Sequence, residues 1–106
     1  MNFLHLLANF FSGMFLCNAI PHLTAGLRGE RFPSPFASPP GKGKSGSVVN
    51  VLWGTANLTA GCLLWATSPF ALGFTLATLA FFVGFLLIGL PMAHHFETLH
   101  DADKAK

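Results

Sequence analysis

The chain has 106 residues, of which 52% are hydrophobic and only 9% charged, whereas a soluble domain carries about 25% charged residues. So few charges cannot cover a water-facing surface of this size, which excludes an ordinary soluble domain. The formal net charge of +2 comes from six Lys and Arg against four Asp and Glu, without the clustered basic surface that nucleic acid requires.

The apolar residues fall in three blocks free of Asp, Glu, Lys and Arg: Phe3 to Ile20, Val48 to Thr67 and Phe70 to Leu90. Each approaches the roughly 20 residues that a helix needs to cross about 30 Å of hydrocarbon. The expected fold is an all-α membrane protein with one membrane domain over 1–106 and transmembrane helices at about 3–20, 48–67 and 70–90. A Pro/Gly-rich connector (21–47) joins the first two, and an interfacial helix and tail (91–106) follow the third. A signal peptide wants a basic n-region and an A-x-A-like cleavage site. Met1-Asn2 supplies no Lys or Arg, and Cys17-Asn18-Ala19-Ile20-Pro21 is a poor cleavage site. The first block is therefore expected to stay as a span.

Within the connector, "PPGKGKSGS" contains Gly43-Lys44-Ser45, the closing letters of a P-loop. That motif needs its first Gly at position 38, a preceding strand and a following helix that holds phosphate. Position 38 is Ser38, and the run from Phe32 to Pro40 has too many prolines for a buried strand. The stretch is a linker, and no nucleotide is expected. Arg28 to Pro40 is expected to be extended or polyproline-like, with Phe32 and Phe36 at headgroup level and Arg28 and Arg31 meeting lipid phosphates. The Gly and Ser of 41–47 suggest flexibility. A docking strip for a cytosolic partner is the other reading of this segment.

In the spans, Asn followed four residues later by Gly occurs three times: Asn9–Gly13, Asn50–Gly54 and Asn57–Gly61. Asn50, Gly54, Asn57 and Gly61 form one stripe at i, i+4, i+7, i+11, and Gly73, Ala77, Ala80 and Gly84 repeat that spacing in the third span. Small residues let helices approach closely, and an Asn amide can bond across the contact. The short turn Thr67-Ser68-Pro69 then predicts a tight antiparallel hairpin of the second and third spans, stripe against stripe, with Phe74, Phe81 and Phe85 facing lipid. The alternative is that the Asn stripe lines a solute or ion path, although no ionisable residue lies at mid-membrane. Ala8-Asn9, Gly13, Leu16 and Pro21 recur as Ala56-Asn57, Gly61, Leu64 and Pro69. A transporter built on that repeat would have to dimerise.

After Pro91, the apolar face Met92, Phe96 and Leu99 opposes a polar face of His94, Glu97 and Asp101, the pattern of an interfacial helix. His94, Glu97 and Asp101 are candidate metal ligands, and His22 with His94 or His95 a candidate haem pair. Snorkelling interfacial side chains are the plainer reading, so no metal or cofactor is expected. Cys17 and Cys62 lie about 15 Å apart in depth at 1.5 Å per residue, too far for a disulfide. No nucleophile has a base beside it and no paired carboxylates occur in the membrane, so no enzyme is expected.

All basic residues sit in the connector (Arg28, Arg31, Lys42, Lys44) or the tail (Lys104, Lys106). The positive-inside rule makes both cytoplasmic and leaves the N-terminus outside. The run Ile20-Pro21-His22, Gly26 to Arg31, Phe32-Pro33-Ser34-Pro35-Phe36-Ala37, Pro39-Pro40-Gly41 and Val49-Asn50-Val51-Leu52-Trp53-Gly54 resembles a pattern in small, uncharacterised bacterial integral-membrane proteins. The resemblance covers about a third of the chain, brings no assigned activity, and implies a bacterial plasma membrane. The function expected is a structural or accessory subunit or a homo-oligomer, with the bilayer, further copies or a larger membrane complex as partners. A small transporter or channel of several copies, or a redox or metal-binding protein, are the alternatives.

Overall fold

A computed structural model describes residues 2–106. The fold is all-α, with helices α1 (Phe3–Leu27), α2 (Ser47–Thr67) and α3 (Leu76–Lys104). A two-stranded antiparallel ladder, β1 (Phe32–Pro33) with β2 (Lys44–Ser45), lies in the connector. All three helices are long and apolar enough to cross a membrane. Large apolar side chains such as Leu52, Leu63, Leu79, Leu86 and Leu87 are exposed on their outer faces. The buried set is dominated by small and polar residues, as expected where lipid already solvates the apolar ones.

α1 starts at Asn2, whose Oδ1 accepts the His5 amide at 2.9 Å. It runs past the end of the apolar block, through Pro21, to Leu27. The extra turns carry His22, Ala25 and Gly26, all buried, so packing holds the helix together across a residue that lacks the backbone donor. The chain reverses at Gly29 (φ 76°), where the amides of Arg28 and Glu30 bond back to the Ala25 carbonyl. A left-handed residue here favours glycine.

The connector is folded, not extended or loose. Phe32 pairs with Ser45, the Ser34 and Ser45 hydroxyls are 2.6 Å apart, and the Gly41 amide donates to the Ser34 carbonyl at 2.8 Å. Gly43-Lys44-Ser45 thus runs through the ladder, while α2 opens only at Ser47.

The hairpin of the second and third spans gives way to a different arrangement. α1 packs along both α2 and α3, while those two share no extended interface. α2 and α3 meet mainly at the ends joined by the loop, where Trp65 of α2 meets Phe81 of α3 edge-on at 5.4 Å and stacks on Phe70 of the loop at 4.3 Å. The cause is the connection. Residues 70–75 stay out of helix, and α3 begins only at Leu76 behind the Thr75 cap. A loop over 68–75 lets α3 cross to the other flank of α1. Gly73 consequently lies in that loop with open space where a Cβ would be, and takes no part in helix packing. Phe81 is buried and Phe85 half-buried, so of the three Phe assigned to lipid only Phe74 is fully exposed.

α3 is one continuous helix through Pro91, with no separate interfacial helix. At 1.5 Å per residue its 29 residues span about 43 Å, longer than about 30 Å of hydrocarbon, so its polar end projects. The amphipathic division holds there: Met92, Phe96 and Leu99 are half-buried, and His94, Glu97 and Asp101 exposed.

Candidate functional site

The stripe on α2 is buried as a unit: Asn50, Gly54, Asn57 and Gly61. Its partner is α1. Leu16 sits over Gly61 and Leu23 over Gly54, while Gly26 of α1 accommodates Val51 in return. Leucines and glycines seven apart on facing helices give knobs filling holes. Between these contacts run hydrogen bonds. The Ser12 hydroxyl donates to the Gly61 carbonyl at 2.8 Å, and Asn18 Nδ2 donates to Asn57 Oδ1 at 2.9 Å. Asn57 Nδ2 donates to the Trp53 carbonyl at 2.8 Å.

At the connector end of this seam Asn50 is completely buried and ties three segments together. Its Nδ2 is within 3.1–3.2 Å of the carbonyls of Phe32, Ser45 and Gly46. That fixes the amide orientation and turns Oδ1 toward His22 Nδ1, 2.8 Å away. Facing an acceptor, Nδ1 must carry the proton. The His22 ring also meets Phe32 edge-on at 5.5 Å, and Phe32 meets Phe96 at 4.7 Å. Phe32 therefore packs beneath the ladder, between His22 and Phe96. Phe36 is the exposed one, edge-on to Trp53 at 5.1 Å.

The contact of α1 with α3 is of another kind. A Cβ at Gly13 would overlap the Phe81 carbonyl, and a Cβ at Gly84 would overlap the Phe10 carbonyl. The two backbones touch at a reciprocal glycine crossing. Ala77 is fully buried, Ala80 half-buried, and Gly89 lies against the Cys17 sulfur. Both cysteines are free. Asn9 is 1% exposed, and neither its Oδ1 nor its Nδ2 has a partner among the described residues. Asn57, its counterpart in the possible repeat, is fully engaged. The two repeat copies thus sit in unlike surroundings.

Two of the surface clefts are lined by polar side chains of the seam and the connector. On the lipid-facing side, a cleft of about 160 Å³ is lined by Phe11, Met14, Phe15 and Asn18 of α1, Asn57 of α2 and Ile88 of α3. Beyond the connector end of the bundle, a larger one of about 480 Å³ lies between the connector and the last turns of α3. Arg28 and Arg31, expected at the interface, line the second. Arg28 makes a two-pronged ion pair with Glu30 at 3.0 Å, which holds the exposed Glu30 carboxyl below its usual range.

No three His, Cys, Asp or Glu side chains among the described residues converge as a metal site. His94, Glu97 and Asp101 share a solvent-exposed helix face, the His22 Nδ1 is engaged by Asn50, and the His95 Nε2 lies 2.7 Å from the Gly41 carbonyl. Sequence reasoning found the α2 stripe but missed Ser12, Asn18 and His22 as its partners. For Ser12 and His22 the available signal was spacing, since Ser12, Ala19, His22 and Gly26 run down one side of α1; Asn18 lies off that row. Compared with known protein families, curated proteins and solved structures, the chain matches none.

Proposed function

We propose that this protein is a structural or accessory subunit of the bacterial plasma membrane that acts by associating with further helices, as copies of itself or within a larger complex. The observation that carries this reading is the Asn18–Asn57 pair in the lipid-facing cleft. Asn18 Nδ2 is bonded to Asn57, but Asn18 Oδ1 takes no hydrogen bond from the described residues. Hydrocarbon cannot supply one. A neighbouring helix can, and Asn amides are established glue between membrane helices. The amides of Asn50 and Asn57 are meanwhile committed to bonds within the chain, which weighs against a solute path through the seam.

A photo-crosslinking residue at Phe15, on the cleft, should capture protein in the native membrane. The same residue at Leu63, on the exposed side of α2, should capture lipid. Lipid alone at Phe15 would sink the reading. Mild-detergent purification then identifies the neighbour. A co-purifying complex makes the protein an accessory subunit, and a lone oligomer makes it self-associating. The orientation belongs to the same proposal: connector and tail in the cytoplasm, N-terminus and the 68–75 loop outside, from the distribution of Lys and Arg. Reporters at Gly43 and after Lys106 should read cytoplasm and one at Ser68 the exterior. Neutralising Arg28, Arg31, Lys42 and Lys44 together should give mixed or inverted insertion. A cytoplasmic signal at Ser68 in the unmodified protein would overturn the topology.

A further inference from the structure

The larger cleft combines two chemistries. Its floor is apolar, made by Phe32, Pro33, Phe96 and Leu99, and its rim carries Arg28, Arg31, Lys44, Glu30, His100 and Asp103. The rim charges are not equivalent. Arg28 is spent on Glu30, and Lys44 Nζ lies 3.1 Å from Asp103 Oδ2. Arg31 has no carboxylate partner among the described residues. Its Nη2 donates to the Lys44 carbonyl at 3.0 Å, which anchors the guanidinium and leaves most of its fork free. Arg28, Arg31 and Lys44 face Glu30 and Asp103, a surplus of one positive charge among these groups.

We propose that this cleft binds the phosphodiester of an anionic phospholipid, with Arg31 as the phosphate ligand and the upper part of an acyl chain or the glycerol backbone on the Phe32–Phe96–Leu99 floor. A fixed guanidinium suits two phosphate oxygens at once. The single surplus charge matches a monoanionic diester. The apolar floor gives a reason for a lipid in place of a free anion, and the cleft lies where α3 leaves the hydrocarbon, at headgroup level. Basic pockets next to membrane helices recognise headgroups by these means. The assignment does not depend on the chain's being a subunit of anything.

The test uses full-length protein in mild detergent, titrated with phosphatidylglycerol, phosphatidylcholine or inorganic phosphate. Retained lipid is read by native mass spectrometry and stability by the thermal midpoint. Phosphatidylglycerol should be retained and raise the midpoint, and phosphatidylcholine should do neither. Arg31→Gln should weaken phosphatidylglycerol binding about tenfold, the scale of one charge-assisted contact. Leu99→Glu, which leaves Arg31 intact but puts a carboxylate on the floor, should do the same. Lys42→Gln, outside the cleft, should change nothing. Equal retention of the two lipids, or equal losses in Arg31→Gln and Lys42→Gln, would overturn the site. Stabilisation by inorganic phosphate matching that by phosphatidylglycerol would show a free anion as ligand and overturn the lipid assignment.

Discussion

On one flank of α1 the contact with α2 is made mainly by side chains, with Leu16 and Leu23 resting on glycines and Ser12, Asn18 and His22 bonded to α2. The backbones come closest at Gly26, where a Cβ would meet the Ser47 carbonyl. On the other flank the contact with α3 is backbone against backbone at Gly13 and Gly84, with no hydrogen-bonding side chain between them. Hydrocarbon gives helices no hydrophobic reason to associate, so each interface must use what remains: polar bonds that lipid cannot replace, or close van der Waals approach. Apart from the approach at Gly26, this chain uses one on each side. The difference lies in compliance. A leucine side chain can shift by a few tenths of an ångström, and a helix carbonyl cannot without moving the helix.

The largest effect should therefore come from the rigid side. Gly13→Ala and Gly84→Ala each drive a methyl group into a carbonyl and should cost about 3 kcal/mol, the upper range for overpacking, or detach α3. Detergent-titrated unfolding reads this directly. Gly73→Ala, in open space, is the control and should be neutral. If it costs as much as Gly13→Ala, the crossing point is misplaced.

Next comes the knot at the connector end. Asn50→Ala leaves the His22 Nδ1–H without its acceptor and removes the side-chain donor to the Phe32 and Ser45 carbonyls. The Gly46 carbonyl keeps the backbone amide of residue 50, so the loss should be about 2 kcal/mol. In a double-mutant cycle with His22→Ala the two losses should fall well short of additive. Strict additivity would mean that the 2.8 Å contact contributes nothing to the fold.

A smaller loss is expected on the compliant side. Gly54→Ala and Gly61→Ala meet the Leu23 and Leu16 side chains first, which can move. The backbone nitrogens of those leucines lie at 3.0 and 3.2 Å with no carbonyl overlap, so each substitution should cost about 1 kcal/mol, the lower end for overpacking. If they match Gly13→Ala, the contrast between the flanks fails. Smallest of all, Ser12→Ala removes one interhelical bond, worth about 0.6 kcal/mol on the average for membrane helices. Thr55→Leu and Thr59→Leu, both exposed, should lie within error of the unmodified protein.

The sequence by itself determined the three spans and a stripe of small and amide residues on each. Asn9, Gly13, Asn50, Gly54, Asn57, Gly61, Ala77 and Gly84 are all buried. They were legible because a helix repeats every 3.6 residues and because an amide or a bare backbone patch is disfavoured against lipid. Only the tertiary structure decided what they pack against. A small residue accepts any neighbour, so two matching stripes on α2 and α3 were compatible with each other and equally with α1. The loop over 68–75 and the continuation of α1 through Pro21 made the choice. The same holds at the bundle end, where Arg31 and Lys44 meet Leu99 and Asp103. Residues so far apart in the chain form a cleft only when α1 and α3 run parallel and the connector folds across their ends, and no local pattern records that.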